Sequence, residues 1–176
     1  AWPRELSGGM CQRVMIAIAA VCRPALLLAD EPATALDTGS RTRILELLQK
    51  INRDFGAAVL FVSHDLGLVS RICRRTLVMY AGKIVESGGT EDVFSRPAHP
   101  YTQSLTGAIP RRERKGKPLA DIPGRVPPVE EPRRGCPFAP RCMYAEERCT
   151  AVFPAAAYPA DGRLVYCVRT YSDRHR

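Results

Sequence analysis

The sequence predicts an α/β fold built on parallel strands, followed by an irregular extension rich in proline and cysteine. Three observations carry this expectation. Two unbroken apolar runs, Leu26 to Ala29 and Ala58 to Val62, each end abruptly in polar residues. Between them Ile44, Leu47, Leu48 and Ile51 fall at i, i+3, i+4 and i+7, the stripe of an amphipathic helix. Ten of the 15 prolines lie between Pro110 and Pro159, which marks a change of chain type near Pro110.

Taken in order, Ser7-Gly8-Gly9 opens a helix of about four turns, with Ser7 as its cap and Pro24 closing it. Leu26-Leu27-Leu28-Ala29 reads as a parallel strand buried on both faces, with Asp30-Glu31-Pro32 at its carboxyl end. Thr38 or Ser40 then caps the second helix, and Gly56 stops it. Ala58 to Val62 is a second buried strand, ending in Ser63-His64-Asp65. Strand, helix, strand is a right-handed crossover, so both strands run parallel and their carboxyl ends present Asp30, Glu31 and His64 to one crevice. Thr76 to Tyr80 and Lys83 to Ser87 flank Ala81-Gly82 as a hairpin, with short helices following near Glu91 to Ser95 and Tyr101 to Ala108.

Length and composition bound the reading. The 176 residues suffice for one core, or a smaller core with an extension, and not for two full enzyme domains. Hydrophobic residues at 45% and charged residues at 25% argue against both disorder and a membrane bundle. The longest uncharged apolar stretch, Val14 to Cys22, falls short of the ~20 residues that span a bilayer. The opening Ala-Trp-Pro-Arg-Glu has neither an initiator Met nor a secretory signal, so a piece of a longer product is expected. Net charge is +8, and residues 111 to 176 hold +6 of it, so that part is expected to meet anionic partners or to enclose an anion of its own. Seven cysteines in an unsecreted chain favour reduced thiols or metal ligation over disulfides.

Leu6-Ser7-Gly8-Gly9-Met10, the strand into Asp30-Glu31-Pro32, Ala35-Leu36-Asp37 and Val62-Ser63-His64-Asp65 stand in the order and spacing of ATP-binding cassette (ABC) ATPases. The chain thus resembles a partial P-loop NTPase (ABC ATPase) core, the segments matching the signature loop, the Walker B strand, the D-loop and the switch His. Val78 to Glu86 and Phe94 to Thr102 resemble one branch, the ATPase subunits of bacterial oligopeptide and dipeptide importers. The resemblance implies residues 1-110 as the C-terminal part of a nucleotide-binding domain and 111-176 as an importer-type extension. It implies ATP and Mg²⁺ as cofactors, with Asp30 on Mg²⁺, Glu31 as general base and His64 on the γ-phosphate. Ser7, Gly8, Gly9 and Met10 would meet ATP held by an opposing subunit, and Asp37 would couple the two sites. Glycine amides at a helix N-terminus suit a phosphate, and a carboxylate beside the phosphoryl group suits proton abstraction.

Implied partners are a second ABC ATPase subunit, identical or related, transmembrane permease subunits and, indirectly, an extracytoplasmic solute-binding protein, at the cytoplasmic face of the membrane. Nucleic acid is not expected. Met10 stands where Gln is usual, and Cys11 and Ala33 where polar residues are usual in this branch. No Gly-x-x-x-x-Gly-Lys-Ser/Thr occurs, so these residues alone are predicted inactive. The alternatives are a non-catalytic ABC remnant and a nucleic-acid-associated ABC ATPase.

Cys136, Cys142, Cys149 and Cys167 are separated by five, six and 17 residues, without the tight pair usual in structural zinc sites. An iron-sulfur cluster (4Fe-4S) tolerates such spacing, and Arg133, Arg134, Arg141 and Arg148 could offset its charge. Many importer ATPases of this branch resemble this tail, in some with such a cluster. Zinc and ordinary thiols remain open alternatives. Cys11, Cys22 and Cys73 read as structural or incidental.

Overall fold

The computed structural model describes residues 2–109, 122–128, 134–159 and 162–172. The chain divides into two compact units, Ala1–Ile72 and Cys73–Arg176.

In the first unit α1 (Gly8–Ala20), β1 (Leu26–Asp30), α2 (Thr38–Phe55), β2 (Ala58–Val62) and α3 (Leu66–Ile72) follow the expected crossover order, with α3 unforeseen. β1 and β2 pair in parallel, from Leu26 opposite Ala58 to Asp30 opposite Val62. Leu27 and Ala29 of β1 meet Ile16 and Ala20 of α1 and the predicted stripe Ile44, Leu48 and Ile51 of α2, with Leu47, Val59 and Phe61 packed against them. Ile44 and Leu48 are essentially without solvent contact, and each such burial contributes about 2 kcal/mol.

Two local expectations are corrected. The strands are buried on one face rather than two. Leu28 is 68% exposed and Leu26, Leu60 and Val62 about half exposed, because α1 and α2 cover only the side of Leu27 and Ala29. The cap of α2 is Asp37, not Thr38 or Ser40; its Oδ1 accepts from Ser40 N at 2.9 Å while its own backbone is still extended. That is the geometry an N-cap requires, and the preceding carboxylate reaches the free amide before either hydroxyl can. The helix ends, as expected, at Gly56 in the left-handed region.

In the second unit β3 (Arg75–Tyr80) and β4 (Lys83–Gly89) form the predicted hairpin, joined through Ala81 (φ +44°) and Gly82 (φ +76°). Two consecutive positive φ values make the two-residue turn that matches strand twist. The helices α4 (Thr90–Ser95), α5 (Pro100–Gly107), α6 (Glu147–Ala151) and α7 (Val168–Ser172) follow, with a short β5 (Leu164–Val165) antiparallel to β4. Phe138, from the cysteine-bearing tail, is buried with Val78, Tyr80, Val85 and Val93 and lies edge-on to Tyr80 at 5.2 Å between ring centres. The tail therefore shares the hairpin's core. The expected boundary at Pro110 lies outside the described residues.

A buried ion pair fastens the tail further. Glu86 has no solvent contact and accepts from the backbone N–H groups of Ala98 and His99, both at 2.9 Å, and from Arg163 Nη1 at 3.3 Å. Arg163, 7% exposed, also donates to the carbonyls of Asp92 and Arg96. Among the described residues no helix is long and apolar enough to cross a membrane.

Candidate functional site

Glu31 is the first residue beyond β1, and its N–H donates to Val62 O at 2.9 Å, which ties the two strand ends together. Its backbone is left-handed (φ +45°), a conformation a carboxylate residue adopts only where surroundings hold it. One carboxylate oxygen, Oε1, lies 2.7 Å from His64 Nδ1 and also accepts from His64 N at 3.0 Å. The other, Oε2, accepts from Thr34 Oγ1 at 2.5 Å. The Thr34 hydrogen bond first, and those from His64 next, hold the Glu31 carboxyl below its ordinary range, so it is ionised at neutral pH. Both side chains face solvent, His64 the more so. Asp30 stands exposed beside them as the last residue of β1. The predicted crevice thus brings Glu31 and His64 into direct contact. Thr34 was not foreseen, although a hydroxyl three residues beyond a carboxylate in a turn is a readable signal.

A second group forms where α1 begins. Ser7 Oγ caps the helix by accepting from Met10 N at 3.3 Å. Gly8 and Gly9 follow at the first helical positions, whose amides have no carbonyl one turn earlier. Gly9 is buried, and a Cβ there would lie 2.8 Å from Ser40 Oγ. Only glycine lets the start of α1 approach the start of α2, where Asp37 caps. Ser7, Gly8 and Met10 remain exposed. Arg41, in the first turn of α2, pairs with Asp65 at 3.4 Å, and Asp65 in turn caps the start of α3.

In the second unit Cys136, Cys142, Cys149 and Cys167 all line one pocket, with His99 and Arg169 also on its wall. Gly135 lets two of them meet: a Cβ there would overlap the backbone of Cys149 and Thr150, and Cys136 N donates to Cys149 O at 2.8 Å. Burial, opposed in part by backbone hydrogen bonds, pushes the thiols of Cys136, Cys142 and Cys167 up, so all three are protonated at neutral pH. Burial lowers His99 to about 4, leaving a neutral imidazole whose Nδ1 accepts from Tyr101 N at 3.1 Å.

The expected cationic neighbours are only partly placed there. Arg141 is engaged elsewhere, donating to Tyr80 OH and to the carbonyls of Ile122 and Pro123. Arg148 pairs with Glu146 at 2.7 Å, Arg134 is exposed, and Arg133 lies outside the described residues. Arg169, which sequence reasoning missed, is the charged side chain on the wall among the described residues. Among those residues no three His, Cys, Asp or Glu side chains are gathered closely enough to hold a metal ion. A single zinc draws its ligands to within about 2.3 Å of one centre. A cluster of several irons takes one thiolate at each corner and so accepts a wider donor set. Among the described residues the wall carries four thiols and no carboxylate, a donor set of the chemical type that such clusters use.

Comparison with known proteins accords with both halves of this picture. The family described as "ABC transporter" matches residues 1–34, and that described as "Oligopeptide/dipeptide transporter, C-terminal region" matches residues 85–149. The oligopeptide transport ATP-binding protein OppD of Salmonella typhimurium is 47% identical over 168 residues, covering 96% of this chain and 50% of the relative. OppD of Escherichia coli is 46% identical with the same coverage, and OppD of Haemophilus influenzae is 49% identical over 148 residues, covering 84% of this chain and 46% of the relative. The chain spans about half the length of the curated relatives it matches. Both matched segments and these relatives point the same way, and the chain is similar to ATP-binding proteins of ABC transporters, those of oligopeptide and dipeptide transport among them.

Proposed function

We propose that these residues serve an ATPase subunit that powers peptide import. The contact of Glu31 with His64 at 2.7 Å carries the proposal, because it joins two strand ends into one ionised, hydrogen-bonded pair. Mg²⁺ and ATP, when bound, supply an activated phosphoryl group. Asp30, exposed at the strand end, would hold the metal. Glu31 takes a proton from water at the carboxylate that Thr34 and His64 orient. Ser7 Oγ and the amides of Gly8 and Gly9 offer an anion seat at the start of a 13-residue helix. That seat serves a nucleotide on an opposing subunit, and Asp37, exposed at the start of α2, couples the two sites. Because these residues contain no phosphate loop, they need one supplied from outside them.

The division of labour follows the motifs, with residues 1–110 handling nucleotide and 111–176 forming the importer-type extension. The partners are a second ATPase subunit and membrane-embedded permease subunits, which places the protein peripherally at the cytoplasmic membrane surface. Cys136, Cys142, Cys149 and Cys167, which line one pocket, would hold an iron-sulfur cluster, whose chemistry there would be structural, fastening the tail.

In a subunit that joins these residues to a phosphate loop, Glu31→Gln should lower turnover roughly 10²- to 10⁴-fold while sparing ATP-dependent pairing, since the amide keeps the shape and cannot take the proton. Unchanged turnover would remove Glu31 from the base role. Ser7→Arg should leave nucleotide binding to its own subunit intact and block the closed pair; normal ATP-dependent dimerisation would refute that placement.

A further inference from the structure

Burying four thiolates is costly unless positive charge stands close to them. The pocket that gathers Cys136, Cys142, Cys149 and Cys167 is otherwise apolar, walled by residues such as Phe138 and Pro154, and its histidine is neutral. Arg169 supplies the charge on that wall among the described residues. It follows Cys167 by two residues in α7, and its guanidinium lies 3.8 Å from the ring centre of Tyr144, two residues beyond Cys142. Tyr144 is also on the wall. The stack therefore bridges the two chain segments that deliver Cys142 and Cys167. At that separation the guanidinium, on a residue that is otherwise exposed, is held over the negative face of the ring.

We propose that Arg169, held in place by Tyr144, is the positioning cation of the four-cysteine pocket and sets the charge balance of the iron-sulfur group that the cysteines hold. This rests on the iron-sulfur reading above. One further observation agrees with it: of the arginines that the sequence had suggested for this task, Arg141 is turned toward Tyr80 and the carbonyls of Ile122 and Pro123, and Arg148 pairs with Glu146.

The test uses the full chain purified without oxygen, with iron, sulfide and visible absorption measured first. Its midpoint potential is then read by titration with dithionite as one-electron donor and ferricyanide as acceptor. Wild-type protein is expected to hold iron and sulfide. Arg169→Gln should shift the midpoint to more negative values, because adding an electron becomes harder once a neighbouring positive charge is gone. Arg169→Lys should recover most of the shift, and Tyr144→Leu should reproduce part of it by releasing the guanidinium. If Arg169→Gln takes up no iron while its far-ultraviolet dichroism matches wild type, recovery of iron by Arg169→Lys supports the charge role and failure to recover it overturns that role. Equal midpoints in wild type and Arg169→Gln, at equal iron content, overturn the assignment while leaving the iron-sulfur reading intact. Wild-type protein without iron or sulfide overturns that reading, and the assignment with it.

Discussion

Replacing Arg163 by Met would strip the charge from the buried pair while keeping most of the side chain's volume. Glu86 would then keep its two backbone donors, Ala98 N and His99 N, and lose its cation at a position with no solvent contact. The carbonyls of Asp92 and Arg96 would lose a donor too. Breaking a buried pair from one side costs about 3–5 kcal/mol, and the two retained amide hydrogen bonds place this case near the low end, about 3 kcal/mol. The assay is urea unfolding followed by tyrosine signals, since all six tyrosines lie in the second unit. Amide exchange at Ala98 and His99 gives a local reading. Glu86→Gln/Arg163→Met should be less destabilised than the sum of the single changes, because the amide leaves no orphaned charge. A loss below about 0.5 kcal/mol for Arg163→Met, or strict additivity in the cycle, would refute the reasoning.

Gly135→Ala should separate Cys136 from Cys149, since the added carbon overlaps backbone that cannot rotate away; loss of the Cys136 amide's exchange protection would show it, and unchanged protection would count against it. His99 titrates at about 4 when folded and at 6.5 in its ordinary state. Above pH 6.5 it is neutral in both states and contributes no pH dependence. As pH falls from 6.5 to 4 the unfolded chain gains a proton that the folded one refuses, so stability drops by a total of about 3 kcal/mol. His99→Gln in the metal-free chain should flatten that slope, and an unchanged slope would contradict it. For the cap of α2, thermal melts should rank Asp37→Asn close to wild type and Asp37→Ala below both; equal melts for the two variants would contradict the capping role.

What was legible in the sequence was what repeats locally. The stripe of α2, its stop at Gly56 and the Ala81-Gly82 turn are written within a few residues of one another, and each appears where expected. The carboxyl-end crevice was also legible, because strand order fixes it. That order also brought Glu31 and His64 together across 33 residues. Pairs that no strand order joins were not legible: Glu86 and Arg163 are 77 residues apart, and no periodicity announces them. Gly135 and Arg169 were missed for the same reason, since each matters through a neighbour that folding supplies, whereas Thr34 was a local signal left unread. Within these 176 residues β1 and β2 are covered on one face only, and an unbroken apolar run says that both faces are greasy without saying what covers each.

That uncovered face has a practical consequence for handling the protein. Leu26, Leu28, Leu60 and Val62 lie side by side on two strands in register, and both outer edges of this two-stranded sheet lack a neighbouring strand among the described residues. Flat apolar surface beside unpaired strand edges invites chains to stack on one another. Preparations of these 176 residues should therefore scatter light increasingly with concentration. Lys in place of Leu28 and Leu60 should suppress the clumping without disturbing the core on the opposite side, where Leu27 and Ala29 pack.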